Sequence, residues 1–515
     1  MADPVSLPFW LVALLSILAI IALVDRIFAP SVKWYFRRRV NDAIDELNNR
    51  LDLQIQPFKL TRRQGLIDQL LYDPDVIQAV DAEHLATGKP RAVIMKQAQR
   101  YATEIVPSFS PLTYFGIGTK VAKWMSEFAY RVRLGYTNDE AFKEVPKNAA
   151  VVFVMNHRSN MDYVLVTYLA SKRASLSYAV GEWAQVIFLH TLLRSMGAYF
   201  IRRNSKNQLY RRVLAAYVRK ATKEGVTQAV FPEGGLSRDG TLGEPKLGLL
   251  SYMVSGFQTD GEKDIVFIPV GINYDRVMED RILTAKQEKE ATGRDFRVKI
   301  QTVFSFIWNL IKLRFQGRLY RYGHACVSFG KPVSLNTFAR ENKIDFSHYV
   351  ETGDPVEKLA KDQRFAGVQK LGEKLLSEIG AIIPALPVAM VATILLQNED
   401  HWMSDLELKA KVFDLIKHLE NTGGHVHIPR EDRDYTLDTG IRMLKLRHIL
   451  QINSEGLYRA NPKEHLLLMY YTNSIAHLLK SDTTIKASAN KTVKKIAAIP
   501  RTKAVKRKDQ FSQTS

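Results

Sequence analysis

Between Ala149 and Phe329 the chain breaks repeatedly into short, apolar, β-branched runs. They are AVVFVM ahead of Asn156, then Ala198–Ile201, Val226–Phe231, Ile265–Val270 and Ala325–Phe329. Runs this brief, bounded by polar or glycine clusters, suit strands buried on both faces better than they suit helices. Helical stretches such as 208–224 lie between several of them. Alternating strand and helix calls for an α/β fold, a sheet covered by helices, over residues 146–345. The segments on either side read as helical. In 31–145, Val40, Ile44, Leu47 and Leu51 recur at helical spacing. Residues 346–481 are helical again apart from LRHILQINSEGLYRAN, which reads as a helix end followed by a small hairpin.

The ends of the chain point to a membrane. Leu7 to Val24 is an uncharged run of 18 residues. At 1.5 Å per residue it would span roughly 27 Å, close to a bilayer core. Arg26, Lys33, Arg37, Arg38 and Arg39 follow it, whereas Asp3 precedes it. Positive charge stays on the cytoplasmic side, so residues 1–30 are expected to form an uncleaved anchor with the bulk of the chain inside. A buried or monotopic helix is the alternative. The segment Ile300 to Arg321 sets Phe304, Phe306, Trp308 and Phe315 beside Lys312, Arg314, Arg318 and Arg321. It reads as an interfacial membrane helix or as a core helix with a basic edge. The tail, 482–515, is basic and aperiodic and is expected to be disordered. Lys and Arg exceed Asp and Glu by 73 to 53, a net charge of +20, which favours anionic partners. A lone cysteine, Cys326, excludes an internal disulfide and a cysteine-cluster metal site.

Chemistry-bearing residues gather just past the strands, where α/β sheets place their sites. The first strand ends in Asn156-His157-Arg158-Ser159-Asn160-Met161-Asp162. His157 and Asp162 lie about 140° apart on one continuous helix, so they meet only if His157 sits in a loop and Ser159 or Asn160 caps a helix bearing Asp162. A carboxylate on one imidazole nitrogen leaves the other free to act as a base. A second cluster, FPEGGLSRDG from Phe231 to Gly240, offers a tight turn at Gly234 and Gly235 with backbone N–H groups toward a ligand. There Glu233 is expected to accept from substrate hydroxyls and Arg238 to fork onto a phosphate, with Lys246 adding a second positive charge. In GAYFIRR the adjacent Arg202 and Arg203 point to opposite faces of a strand, so one faces the site. In IVFIPVGIN, Pro269 fits a strand only at an edge, a bulge or an end.

Taken in order, NHRSNMDY, GAYFIRR, FPEGGLSR with its following Pro245-Lys246-Leu247-Gly248, and the IPV strand resemble the four blocks of the glycerolipid acyltransferase family. The likeness is nearest to its branch of glycerol-3-phosphate 1-O-acyltransferases and dihydroxyacetone-phosphate acyltransferases. The later YYTNSIAHLL resembles that branch's C-terminal region. Asn160 stands where the branch carries a second His, and Leu236 where its turn carries Arg. The resemblance implies a mixed sheet flanked by helices. It implies His157 as general base and Asp162 as its orienting partner. Arg203, Glu233, Gly234, Ser237, Arg238 and Lys246 would bind the acceptor, and Pro269 would shape the site. The implied reaction carries a fatty acyl group from acyl-carrier protein or coenzyme A to the sn-1 hydroxyl of glycerol 3-phosphate, giving lysophosphatidate, with no bound cofactor or metal. Backbone N–H groups near the His157 turn are the expected oxyanion donors. No Gly-x-Ser-x-Gly elbow surrounds Ser159 or Ser237, which argues against a serine hydrolase. Expected partners are glycerol 3-phosphate, the acyl thioester and anionic membrane lipids at the inner membrane, with no nucleic acid. Two readings stand beside this one: a 1-acylglycerol-3-phosphate acyltransferase, and a membrane-tethered nucleic-acid binder that would account for the charge, the hairpin and the tail.

Overall fold

The computed structural model describes residues 8–16, 44–171, 173–181, 187–202, 205–259, 261, 263–285, 322–346, 363–429 and 432–479. Most of the Leu7–Val24 run, the Ile300–Arg321 segment, Arg203 and the basic tail lie outside them. Residues 9–16 are helical. Among the described residues no helix is long and apolar enough to cross a membrane.

An eight-stranded mixed sheet organises the molecule. In chain order its strands are β1 (Arg131–Thr137), β2 (Ala150–Met155), β3 (Ser177–Val180), β4 (Tyr199–Phe200), β5 (Gln228–Val230), β6 (Ile265–Tyr274), β7 (His324–Phe329) and β8 (Val333–Ser334). They lie side by side as β1-β7-β6-β2-β5-β3-β4, with β8 also paired to β6. The centre is parallel, β6 with β2, β2 with β5 and β5 with β3, while β7 and β8 run antiparallel to β6. The apolar runs fall where the sequence places them because both faces of the central strands are covered. Along β2, Val151, Phe153 and Met155 enter one core cluster and Ala150, Val152 and Val154 the other. Each such Val, Phe or Met side chain, fully buried, contributes roughly 1.5–3 kcal/mol.

The flanking helical regions are the two covers. One face carries the Met161–Ala170 helix and the C-terminal helices Pro387–Gln397, Asp405–Asn421, Arg433–Leu446 and His465–Asn473. The other carries Arg63–Leu71, Pro74–Thr87, Arg91–Ile105, Gln208–Lys223, Leu247–Val254 and Gln363–Ile382. The expected hairpin is present as β9 (Leu450–Ile452) and β10 (Tyr458–Ala460), antiparallel.

Two local expectations are corrected. The segment 31–145 is not helical throughout: Arg131–Thr137 is a strand, β1, at the edge of the sheet. It pairs with β7, almost two hundred positions later, so no local periodicity marks it. Pro269 lies inside a ten-residue strand that is not at the sheet edge. Its missing N–H costs no ladder bond, because the neighbour on one side is interrupted there. Pairing to β8 stops at Phe267, pairing to β7 starts at Val270, and the Pro269 carbonyl accepts instead from Gly330 N at 2.8 Å.

The C-terminal helices also touch the loop after β5. Gly240 has φ +85°, and a Cβ there would lie 1.9 Å from the Tyr470 carbonyl oxygen. Both the left-handed backbone and the close approach require glycine. Gly240→Ala is expected to cost about 2–5 kcal/mol in urea unfolding; a loss below about 1 kcal/mol would show that this contact does not hold the loop.

Candidate active site

β2 and β5 are adjacent and parallel, so their C-terminal ends deliver Asn156–Asp162 and Phe231–Gly240 to the same edge of the sheet. Asn156 fixes the first loop to β6: its side chain accepts from Ile272 N at 2.8 Å and donates to Ile272 O at 2.9 Å. The loop then turns into the Met161–Ala170 helix, with Asn160 as N-cap and Asp162 in the first turn. His157 is thus in the loop and Asp162 on the helix. His157 Nδ1 and Asp162 Oδ2 meet at 2.9 Å, with the side chains 1% and 0% exposed. An ionised carboxylate only accepts, so Nδ1 carries the hydrogen of this bond, and in the neutral imidazole Nε2 is then the nitrogen with the lone pair. Nε2 is buried without a hydrogen-bond partner among the described residues. Phe231 stacks on the imidazole at 4.0 Å between ring centroids, and Tyr163 meets it edge-on at 5.5 Å.

The loop is held by carboxylates in succession. Glu233 Oε1 accepts from His157 N at 2.8 Å, and Asp162 Oδ2 accepts from Arg158 N and Ser159 N at 2.7 and 3.0 Å. Glu279 Oε1 accepts from Asn160 N at 3.2 Å. This corrects the expectation about oxyanion donors, because the N–H groups of residues 157–160 are all engaged. Asp162 Oδ1 takes a further bond, from the Tyr274 hydroxyl at 2.6 Å. Burial, reinforced by the Asp162 charge, raises the Tyr274 phenol well above its ordinary value and keeps it a donor. Burial also raises the carboxyl of Glu233, opposed by the His157 and Gly243 N–H groups. It raises that of Glu279, opposed first by the Ser159 hydroxyl and then by Asn160 N.

The remaining sequence candidates divide. Glu233 was expected to face substrate hydroxyls, but its oxygens grip His157 N and Gly243 N, so it first fastens the two loops together. Gly234 has φ +69°, and its N–H closes a turn onto Phe231 O at 3.0 Å. Ser237 N donates to His157 O at 2.9 Å, while the Ser237 hydroxyl donates to Thr241 O at 2.7 Å. Lys246 N donates to Pro232 O, and the Lys246 stem lies against Gly234. Arg238 and Lys246 are exposed beside the dyad's loops. Pro269 is buried in β6 opposite Val154. Arg202 lies past the end of β4 and so outside the expected strand, exposed and forked onto Glu104 at 2.8 and 2.6 Å.

Sequence reasoning missed Tyr274, Glu279, Phe231 as a ring partner, and Arg158. The Arg158 guanidinium is 1% exposed; it donates to Gly240 O and, at 3.2 Å, to Ser474 O, tying the second loop to the C-terminal region. Only the position of Tyr274 and Glu279, just inside and just past the end of a strand, could have marked them.

Residues 136–273 match the family model described as Acyltransferase, and residues 307–514 match the one described as Glycerol-3-phosphate acyltransferase C-terminal region. Curated relatives named glycerol-3-phosphate acyltransferase include one from Aeromonas hydrophila, 28% identical over 83% of this chain and 51% of its own length. Another, from Xylella fastidiosa strain M23, is 27% identical over 85% of this chain and 50% of its own. The chain therefore spans about half the length of the curated relatives it matches. The solved structure of a 1-acyl-sn-glycerophosphate acyltransferase from Thermotoga maritima overlaps at 18% identity over 50% of this chain and 78% of that chain. Its TM-score of 0.26 is too low to fix any residue's role.

Tyr274→Phe removes a donor from a buried carboxylate and is expected to cost about 1.5–3 kcal/mol in urea unfolding. Tyr130→Phe, which gives up a bond to the neutral Arg276 carbonyl, should cost about 0.5–1.5 kcal/mol. Equal losses would mean that the Asp162 charge does not depend on Tyr274.

Proposed function

We propose, on the premise that the chain is of the glycerol-3-phosphate acyltransferase family, that it moves a fatty acyl group from a thioester to the sn-1 hydroxyl of glycerol 3-phosphate. The observation that carries this reading is the His157 imidazole, with Nδ1 held by Asp162 and Nε2 buried and unpartnered among the described residues. Nε2 takes the hydroxyl proton as the oxygen attacks the thioester carbonyl carbon. The C–S bond then breaks, the thiolate leaves and the proton passes from Nε2 to the sulfur. The alcohol is itself the nucleophile, so no acyl-enzyme is required. Asp162 keeps the imidazole in the tautomer that can accept and stabilises the imidazolium that forms. The rings of Phe231 and Tyr163 exclude water, which would otherwise compete for the acyl group.

Arg238 and Lys246, exposed on the loop that wraps His157, are suited to the acceptor's phosphate, and Arg203 would join them. The donor is acyl-carrier protein or coenzyme A. Both are acidic, and the net charge of +20 favours either. The enzyme would work at the cytoplasmic face of the inner membrane, anchored by Leu7–Val24 and helped by anionic lipid at Ile300–Arg321 and the basic tail.

An assay on the purified protein, offering glycerol 3-phosphate and lysophosphatidate with each thioester, tests the reading. His157→Ala should lower kcat by about 10²–10⁴-fold with the fold intact. Arg238→Ala should raise the KM for glycerol 3-phosphate more than about tenfold. Wild-type turnover without His157, or a change confined to the donor's KM without Arg238, would overturn the assignment. A chain lacking residues 1–30 should still co-sediment with anionic vesicles at low salt and release at high salt, because the Debye length shortens below about 8 Å. Indifference to anionic vesicles at low salt would leave the anchor as the sole attachment.

A further inference from the structure

Glu279 lies just past β6, in the interval 274–306 that neither matching family model covers. Its carboxylate reaches across to the start of the Met161–Ala170 helix. Oε2 accepts from the Ser159 hydroxyl at 2.7 Å, and Oε1 from Asn160 N at 3.2 Å and Asn160 Nδ2 at 3.1 Å. The Ser159 hydroxyl, having donated its hydrogen to Glu279, accepts from Met161 N at 3.1 Å. Asn160 is the N-cap residue, yet its own side chain caps nothing. Glu279 therefore caps this helix from outside it, partly through Ser159. The capped turn is the one that carries Asp162, whose Oδ2 must meet His157 Nδ1.

The segment bearing Glu279 is itself pinned by the C-terminal region. Asp280 pairs with Arg447 at 2.7 Å, both buried, and takes the Tyr471 hydroxyl. Val277 N donates to Tyr471 Oη at 3.3 Å, and Arg281 pairs with Glu464 at 3.1 Å. A continuous set of bonds thus runs from the C-terminal helices through Glu279 and Ser159 to the Asp162 turn.

We propose that Glu279 is a positioning residue for the His157–Asp162 pair, setting the register of the helix start so that Asp162 meets the imidazole. The kinetic part rests on the acyl-transfer reading; the geometric part does not. A small displacement of a reacting group can cost about a hundredfold in rate. Glu279→Gln keeps the shape but replaces one acceptor oxygen by a donor, and should lower kcat roughly 10- to 100-fold while both KM values stay within about twofold. Ser159→Ala lies on the same path. Added to Glu279→Gln it should lower kcat by less than about threefold more, since the two losses are one loss.

Proton NMR reads the geometry without substrate. The buried His157 Nδ1–H bonded to Asp162 should give a downfield resonance, identified by its absence in His157→Gln. The buried His324 Nδ1–H, bonded to Asp275 at 2.8 Å, should give a second one and serves as an internal control. In Glu279→Gln the first resonance should shift or vanish while the second stays. If Glu279→Gln does not fold, shown by loss of both resonances, Ser159→Ala carries the same measurement. An unmoved His157 resonance with wild-type kcat would overturn the proposal, as would a loss confined to the KM for glycerol 3-phosphate. A shifted resonance in a protein that acylates no glycerol 3-phosphate would uphold the positioning and refute the functional reading.

Discussion

Four successive backbone N–H groups, those of His157, Arg158, Ser159 and Asn160, are accepted by three carboxylates from three parts of the chain. A loop between a strand and a helix is ordinarily the softest part of an α/β unit. Here each amide hydrogen bonds to a carboxylate oxygen, and bonds to an ionised acceptor are roughly twice as strong as neutral ones. The helix beginning at Met161 adds its positive end, which favours Asp162 in its first turn and Glu279 just outside it. The result is a loop whose conformation is set by carboxylates, with an imidazole on it that has one nitrogen held and the other buried without a hydrogen-bond partner among the described residues.

That arrangement depends on regions that a reading of isolated motifs treats as accessory. Glu233 comes from the loop after β5, and Glu279 from the segment after β6. Arg158 extends the support outward, meeting Gly240 on one side and Ser474 on the other. The buried Arg447–Asp280 pair and the Tyr471 hydroxyl then hold the Glu279 segment against the C-terminal helices. Breaking a buried pair from one side is costly because it strands a charge. The two faces of the sheet are covered by residues from both ends of the chain, so the C-terminal region completes the core on the face where Asp162 is held.

The charge distribution has two levels. The chain as a whole is strongly basic, with a net charge of +20. The immediate surroundings of His157 are acidic, with Asp162, Glu233 and Glu279 each spent on N–H and O–H donors. Arg238 and Lys246 are exposed on the segment that follows β5.

The sequence by itself determined the α/β class, four of the central strands, the mostly helical flanks, the hairpin and the condition under which His157 meets Asp162; it left out β3, a four-residue strand in the middle of the sheet. Those features are local: apolar runs of strand length mark buried strands wherever they lie, and a histidine five residues before an aspartate has few ways to reach it. Strand ends followed by polar clusters marked Glu233 and Gly234 as site candidates, and the family resemblance added Ser237; the pairing of β2 with β5 is what brings these residues to His157. Sequence reasoning misjudged what Glu233 and the loop amides do, since a residue's type does not reveal which neighbour has already claimed it. Only the tertiary structure decided that β1 joins the sheet, through pairing with a strand almost two hundred positions away. It alone decided that Pro269 can lie within a strand, opposite a gap in its neighbour. And it alone brought Tyr274 and Glu279 to the Asp162 turn, because hydrogen bonds spanning more than a hundred positions are set by how the sheet closes and leave no periodicity in the sequence.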